Sequence, residues 1–360
     1  MKKILIINPF GIGDCLFTTP LIKNLKLNYN DSFIGYWCNK RVKDLLQNIP
    51  EIDKIFPSSR GDIKKAYRNS KLKGIKQSLD LFLALKKEKF NLAIDFSLDH
   101  RYGLVAKLCG IKERIGFNYK NRGRFLTKRI ELTGYSEKHA VEYYLDLLRL
   151  INLEPKKFDL EVGIQQGSRI SVKKILAESG ISDGDLLIGM APGAGASWGD
   201  DAGLKHWPAK NYAQLADLLI EKFAAKILLL GDSSERPIAE TITNSMQHKA
   251  VDLIGKSDLA QLVALIDSTQ ILITNDGGPL HIAVALKKKT VSFFGPVDDK
   301  VYGPYPEDKE RHIVLKNNLD CIPCYHNFRL SECKSGRACL EKIDAKSAFE
   351  AVSFLLSVKK

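Results

Sequence analysis

The sequence predicts an α/β protein built from two parallel-sheet domains. Short apolar strands alternate with helix-like segments through residues 1–117 and again from Leu186 onward, which is the pattern of parallel sheets covered on both faces. Four of these strands run into glycines, acids or a lysine, and the strand ends of open α/β sheets are where ligands sit. At 360 residues the chain is too long for one ordinary core and suits two domains.

The first strand is read over 3–7, where Ile4–Ile7 is a short continuous apolar run. It passes through Asn8-Pro9-Phe10-Gly11-Ile12-Gly13-Asp14 into a helix over 16–28. Strand 32–37, helix 41–48, strand 53–56, a basic helical stretch over 62–88, strand 91–96, helix 101–109 and strand 113–117 follow. Residues 138–152 read as helix because Ala140, Tyr143, Tyr144, Leu147, Leu148 and Ile151 recur at helical spacing. The periodicity fails over 153–170, amid Pro155, Lys156-Lys157 and Gln165-Gln166-Gly167, and the linker is placed there. The second half reads strand 186–190, helix 209–223, strand 226–230, helix 234–247, strand 251–254, helix 258–267, strand 271–274, helix 279–286 and strand 290–294. The expected domains are residues 1–165 and 166–344, followed by a closing helix within 345–360.

Composition narrows the class. With 44% hydrophobic and 27% charged residues the chain is globular. No apolar run reaches bilayer-spanning length, and Met1-Lys2-Lys3 leads into a strand without a small-residue cleavage site. The expected location is cytoplasmic, with peripheral contact at the inner membrane left open. The net charge of +13 is one-sided, since residues 1–170 carry 32 Lys and Arg against 18 Asp and Glu. Nucleic acid is not the expected partner: no zinc-finger, RRM or KH signature is present, and aromatic residues are not interleaved as stacking platforms. Phosphorylated saccharides, an anionic membrane face and a solvated lysine-rich surface all suit this charge.

The run Thr274-Asn275-Asp276-Gly277-Gly278-Pro279-Leu280-His281 carries the most information. A strand stops at an acid, and two glycines and a proline open a helix, so free backbone N–H groups and the helix dipole favour an anion. Comparable junctions are Ala191-Pro192-Gly193-Ala194-Gly195-Ala196-Ser197 before Lys205-His206-Trp207-Pro208, and Gly231-Asp232-Ser233-Ser234-Glu235. A dinucleotide fingerprint is excluded at the N-terminus: Leu16 replaces the third glycine after Gly11-Ile12-Gly13, and strand two ends in Tyr36-Trp37-Cys38-Asn39 without an acid. There is neither a nucleophile elbow nor a Walker loop.

In this order the motifs resemble glycosyltransferase family 9, the heptosyltransferases of the lipopolysaccharide inner core. The matching pieces are Gly13-Asp14 with Thr18-Thr19-Pro20-Leu21, Ile94-Asp95-Phe96 with Arg101, Arg114-Ile115-Gly116-Phe117, and His139 with Tyr144–Leu148. Pro192-Gly193, Lys205–Pro208, Gly231 with Glu235, Asp276–His281 and Phe294-Gly295-Pro296 complete the series over about 300 residues. The resemblance implies a GT-B fold, two Rossmann-like domains facing a cleft, with the acceptor on the N-terminal domain and the nucleotide sugar on the C-terminal one. The closing helix would cross back to the N-terminal domain. The implied activity is inverting, metal-independent transfer of a heptose from ADP-heptose to a phosphorylated lipopolysaccharide-type acceptor. Transfer of another sugar or onto a protein, and a silent saccharide- or nucleotide-binding protein, are the alternatives.

Asp14 is the implied general base, taking the acceptor hydroxyl proton; an acid before a helix is also a common N-cap. Lys205 would neutralise the departing diphosphate, with Ser197 and the backbone from Gly193 as further donors. Glu235 would accept from ribose hydroxyls, and Asp276, Gly277, Gly278 and His281 would complete the donor site. Arg60, Lys64, Lys65, Arg101, Arg122 and Arg124 are the expected acceptor contacts. Two departures from the family pattern stand out: a longer loop between Pro192 and Lys205, containing Asp200-Asp201, and Gly277 where many relatives carry Ser or Thr. The cluster Cys321, Cys324, Cys333 and Cys339 admits structural zinc or iron, disulfide or redox chemistry, and free thiols.

Overall fold

The structure, a computed structural model, describes residues 1–358 and every side chain among them except those of Arg60, Ile63, Ala196, Ser197 and Asp200. The chain divides into two units, Met1–Gly163 and Ile164–Lys360. In the first, β1 (Lys3–Asn8), β2 (Phe33–Cys38), β3 (Lys54–Pro57), β4 (Leu92–Asp95), β5 (Glu113–Tyr119) and β6 (Lys128–Leu132) form one sheet in the order β3-β2-β1-β4-β5-β6. All neighbours pair in parallel. Ile4, Leu5, Ile6 and Ile7 are fully buried, as expected of a central strand covered on both faces, where a continuous apolar run replaces alternation.

The second unit repeats this plan. Its strands are β7 (Leu187–Ala191), β8 (Lys226–Leu229), β9 (Val251–Asp252), β10 (Ile271–Asn275), β11 (Lys289–Phe293) and β12 (His312–Leu315), ordered β12-β11-β10-β7-β8-β9. Counted from its own first strand, that is the same doubly wound order as in the first unit. In each sheet the strand order reverses beside the first strand, between β1 and β4 and between β7 and β10. Connections diverge there to opposite faces, leaving a crevice at the carboxyl ends.

Several elements differ from the sequence expectation. Strands β6 and β12 are additions, both at sheet edges. The helix expected over 16–28 is two, Ile12–Leu16 and Thr19–Asn28, parted at Thr18, whose hydroxyl donates to the Cys15 carbonyl at 2.6 Å. The basic stretch is a helical hairpin, Arg60–Asn69 and Lys71–Glu88, joined at Ser70, whose side chain caps the second helix by accepting from the Lys73 N–H. The expected linker overlaps the helix Gln166–Glu178.

The closing helix, Ala345–Ser357, packs on the helix Ala209–Phe223 and on β11. Ala348, Val352 and Leu355 are fully buried there, in one cluster with Leu215, Leu219 and Val291. The Lys289 ammonium donates to the carbonyls of Leu355 (2.7 Å) and Val358 (2.8 Å), satisfying groups that a helix end leaves unpaired. Among the described residues no helix is long and apolar enough to cross a membrane.

Because Leu355 is a core residue of the second unit, Leu355→Ala is expected to lower unfolding stability by about 2–5 kcal/mol, read by chemical denaturation. An unchanged midpoint would mean that the helix is not part of this core.

Candidate functional site

Strand β1 delivers the chain to Asp14. Asn8, fully buried, accepts from the Phe10 N–H at 3.1 Å and donates its amide to the Asp14 carbonyl at 2.9 Å, which closes the turn. Gly11 is the N-cap of the helix Ile12–Leu16, and Asp14 lies inside the first turn, so it is not the capping residue. Its carboxylate accepts from the Tyr144 hydroxyl at 3.5 Å, the long limit for such a bond. Tyr144 is buried, its ring 4.5 Å from Phe96 and 6.0 Å from Tyr135. The neighbouring acids hold backbone: Asp95 accepts from the Ser97 N–H at 2.8 Å, and Asp99 caps the helix His100–Leu108.

The expected acceptor contacts are spread out. Lys64 and Lys65 are exposed on the helix after β3, while Arg122 and Arg124 are exposed in the turn after β5. Strands β2, β1 and β4 lie between β3 and β5, a separation of about 19 Å at the usual strand spacing. These charges therefore do not form one cluster. Arg101 differs, being paired with Asp99 at 2.6 Å. The Arg60 side chain lies outside the described residues.

In the second unit the expected donor residues converge on the ends of β7, β8 and β10. Asn275, the last residue of β10, is fully buried. Its side-chain oxygen accepts from the Trp207 N–H (2.9 Å) and the Tyr212 hydroxyl (3.3 Å), and its amide donates to the carbonyls of Pro192 (2.6 Å) and Gly193 (3.2 Å). One side chain thus fixes three segments. Trp207, fully buried, stacks on Phe293 at 4.0 Å and donates to the Ile343 carbonyl. Two residues before it, Lys205 meets Asp276 at 2.5 Å, with both side chains under one-tenth exposed. The ammonium also lies 4.6 Å from the Trp198 ring centroid. Lysine is seldom buried without a partner, and here a carboxylate and an aromatic face share it.

Gly277 is extended, with φ of 173°, and stands as N-cap to the helix Gly278–Ala285, which has a proline in its first turn. A Cβ at Gly277 would lie 3.5 Å or more from the Ala194 backbone, so a Ser or Thr there would fit. Gly278 begins the helix and His281 is buried within it. The Ser197 side chain lies outside the described residues. Glu235 is wedged against glycines: Cβ atoms built at Gly193 and Gly231 would fall 1.6 and 2.2 Å from its carboxylate oxygens. Those oxygens accept from the N–H groups of Gly195 (3.2 Å) and Asp232 (3.0 Å). Burial, with the charge of Asp232 adding to it, raises the Glu235 carboxyl above its ordinary value, and the two amides pull the other way.

The four clustered cysteines are free thiols. Cys321 and Cys333 each place sulfur 3.8 Å from the Ser335 hydroxyl, and Cys324 donates to the Cys321 carbonyl at 3.0 Å. Among the described residues no three His, Cys, Asp or Glu side chains stand together so as to hold a metal ion. The segment does reach the donor residues. Tyr325 packs on Trp198 at 5.1 Å, and the Arg337 guanidinium donates to the carbonyls of Gly203 (2.8 Å) and His206 (3.3 Å).

Trp198, Tyr325 and Asn275 are the neighbours that sequence reasoning did not single out as site residues. The Trp198 contact depends on a kink at Gly199, with φ of 53°, and no periodicity announces such a turn.

The profile of glycosyltransferase family 9 (heptosyltransferase) matches residues 78–334. The chain is similar to lipooligosaccharide heptosyltransferase 2 of Haemophilus influenzae, 26% identical over 330 residues, covering 87% of this chain and 88% of the relative. Its fold matches the crystal structure of a family 9 glycosyl transferase from Veillonella parvula with a TM-score of 0.83 and 21% identity, over 99% of this chain and 98% of that one. It also matches Escherichia coli ADP-heptose lipopolysaccharide heptosyltransferase II with a TM-score of 0.76 and 22% identity, over 99% of both chains.

The thiol environments predict an order of reaction. Hydrogen bonds from the backbone N–H groups of Arg337 and Ser335 lower the Cys333 thiol, whereas burial and the neighbouring cysteines push Cys324 up to about 11. Since thiolates are the nucleophiles, maleimide at pH 8 should modify Cys333 well before Cys324, as followed by peptide mass spectrometry. The reverse order would contradict this arrangement.

Proposed function

We propose, from the premise that the chain belongs to glycosyltransferase family 9, that it transfers a heptose from ADP-heptose to a phosphorylated lipopolysaccharide-core acceptor with inversion. The observation that carries this reading is the buried Lys205 ammonium at the carboxyl ends of β7 and β10. It sits beside a glycine-containing turn and a Gly-Gly-Pro helix start, where a diphosphate finds backbone donors and positive charge together. The second unit thereby holds the nucleotide sugar and the first holds the acceptor.

In the proposed step the acceptor hydroxyl oxygen forms a bond to the anomeric carbon from the face opposite the nucleotide. Its proton passes to the Asp14 carboxylate, whose orientation Tyr144 supports. The anomeric carbon–oxygen bond breaks with its electron pair going to ADP. As negative charge gathers on the diphosphate, Lys205 turns from Asp276 toward it, and the peptide N–H groups of Gly277 and Gly278 add to the stabilisation. Glu235 receives a ribose hydroxyl through lone pairs left over from its two backbone contacts. No metal ion is assigned a part in these steps.

Asp14→Asn should lower kcat by roughly 10²–10⁴ while donor affinity and melting temperature stay near those of the parent, read by ADP release in the presence of acceptor. Turnover at the parental rate would remove Asp14 as base. Lys205→Ala alone strands Asp276 in the interior, so the double change Lys205→Ala/Asp276→Ala is the informative one. It should restore stability lost in the single variant yet bind ADP-heptose more weakly by about 1.5–3 kcal/mol by calorimetry. Parental affinity in the double variant would remove Lys205 from the donor site.

A further inference from the structure

The helix Lys71–Glu88 turns an apolar stripe outward. Leu72, Ile75, Leu79 and Leu83 are 80%, 51%, 49% and 52% exposed, and at 100° per residue they fall within about 80° of arc. Gly74 and Leu85, the buried residues of this helix, lie on the opposite side. Gly74 is pressed there by the Tyr67 ring, since a Cβ would fall 2.5 Å from it. The first helix of the hairpin thus occupies one face and leaves the stripe uncovered. Single exposed leucines are ordinary; four in register on one helix are not.

The charges beside the stripe are mainly positive. By the same angular count, Lys76 and Lys87 flank one side, Lys71 the other, and Lys86 lies within it. Of the acids on this helix, Glu88 is paired with Lys54 at 2.7 Å and points to the buried side, which leaves Asp80 as the acid near the stripe. An apolar face bordered by lysines complements a surface that is negative outside and hydrocarbon beneath.

We propose that this face docks the first unit on an anionic lipid bilayer, with Leu72, Ile75, Leu79 and Leu83 entering the headgroup boundary and Lys71, Lys76, Lys86 and Lys87 meeting phosphates. The helix lies in the plane of the surface and does not span it. Docking stands on this helix alone and needs neither sugar nucleotide nor acceptor, so it stands or falls separately from the catalytic reading.

The test is flotation of the full chain with vesicles of phosphatidylcholine, with or without one-third phosphatidylglycerol. The parent protein should bind the anionic vesicles and release with salt. Leu79→Asn/Leu83→Asn should weaken binding by about tenfold per leucine, and Lys71→Gln/Lys76→Gln/Lys87→Gln by about fivefold per lysine with a flatter salt response. These positions are exposed, so circular dichroism and transfer to a water-soluble acceptor should stay at parental values. Equal binding to both vesicle types, or binding indifferent to the leucine changes, overturns the proposal. Sedimentation showing a dimer that Leu79→Asn/Leu83→Asn dissolves, without vesicle binding, assigns the stripe to a second copy and also overturns it.

Discussion

The carboxamide of Asn275 is the joint on which the second unit's site is assembled. A fully buried amide offers two donor hydrogens and an oxygen that accepts two, and here all four positions are used, toward Pro192, Gly193, Trp207 and Tyr212. Burying such a group without partners would cost several kcal/mol, about 2–7, so the segments it ties together are held by the penalty of releasing it. Lys205 and Asp276 are neighbours of the tied residues in sequence and inherit their positions. The ion pair is therefore placed by an uncharged network, not by its own attraction.

Much of this was legible in the chain. Central strands such as β1 and β10 announce themselves because burial on both faces requires apolar runs with little else in them. The edge strands β6 and β12 do not. In β6, Lys-Arg-Ile-Glu-Leu, only the last residue is buried; charged residues on an edge blunt further pairing and hide the strand from a search for hydrophobicity. The helix Gln166–Glu178 was obscured because it buries few positions, Ser168, Val172 and Leu176 among them. The closing helix was legible from its apolar spacing, and Ala348, Val352 and Leu355 are the positions it buries in its own unit.

For the site, motif order located strand ends and missed what lies across them. Asp14 and Tyr144 are 130 residues apart, and no local spacing pairs them. Trp198 reaches Lys205 through a turn, and Tyr325 reaches Trp198 from a segment whose cysteines drew attention elsewhere. The positive charge of the first half likewise resolves into distinct populations once placed. Arg101 is neutralised by Asp99, Lys64 stands on the helix after β3 and Arg122 in the turn after β5, and the lysines of Lys71–Glu88 border an apolar stripe.

The carboxylate of Glu235 occupies the volume where side chains at Gly193 and Gly231 would begin. Three positions, drawn from two strand ends and the helical turn after the second, therefore share one space. A lineage that replaces either glycine must move the acid's carboxylate out of this place, because a Cβ there would fall 1.6 or 2.2 Å from its oxygens. A lineage that replaces the acid frees Gly193, whereas a Cβ at Gly231 would still fall 2.8 Å from the Ile254 Cδ1 atom. Among descendants of this chain, glycine at 193 should persist wherever this glutamate keeps its place and diversify where it is gone, so that the two columns change together.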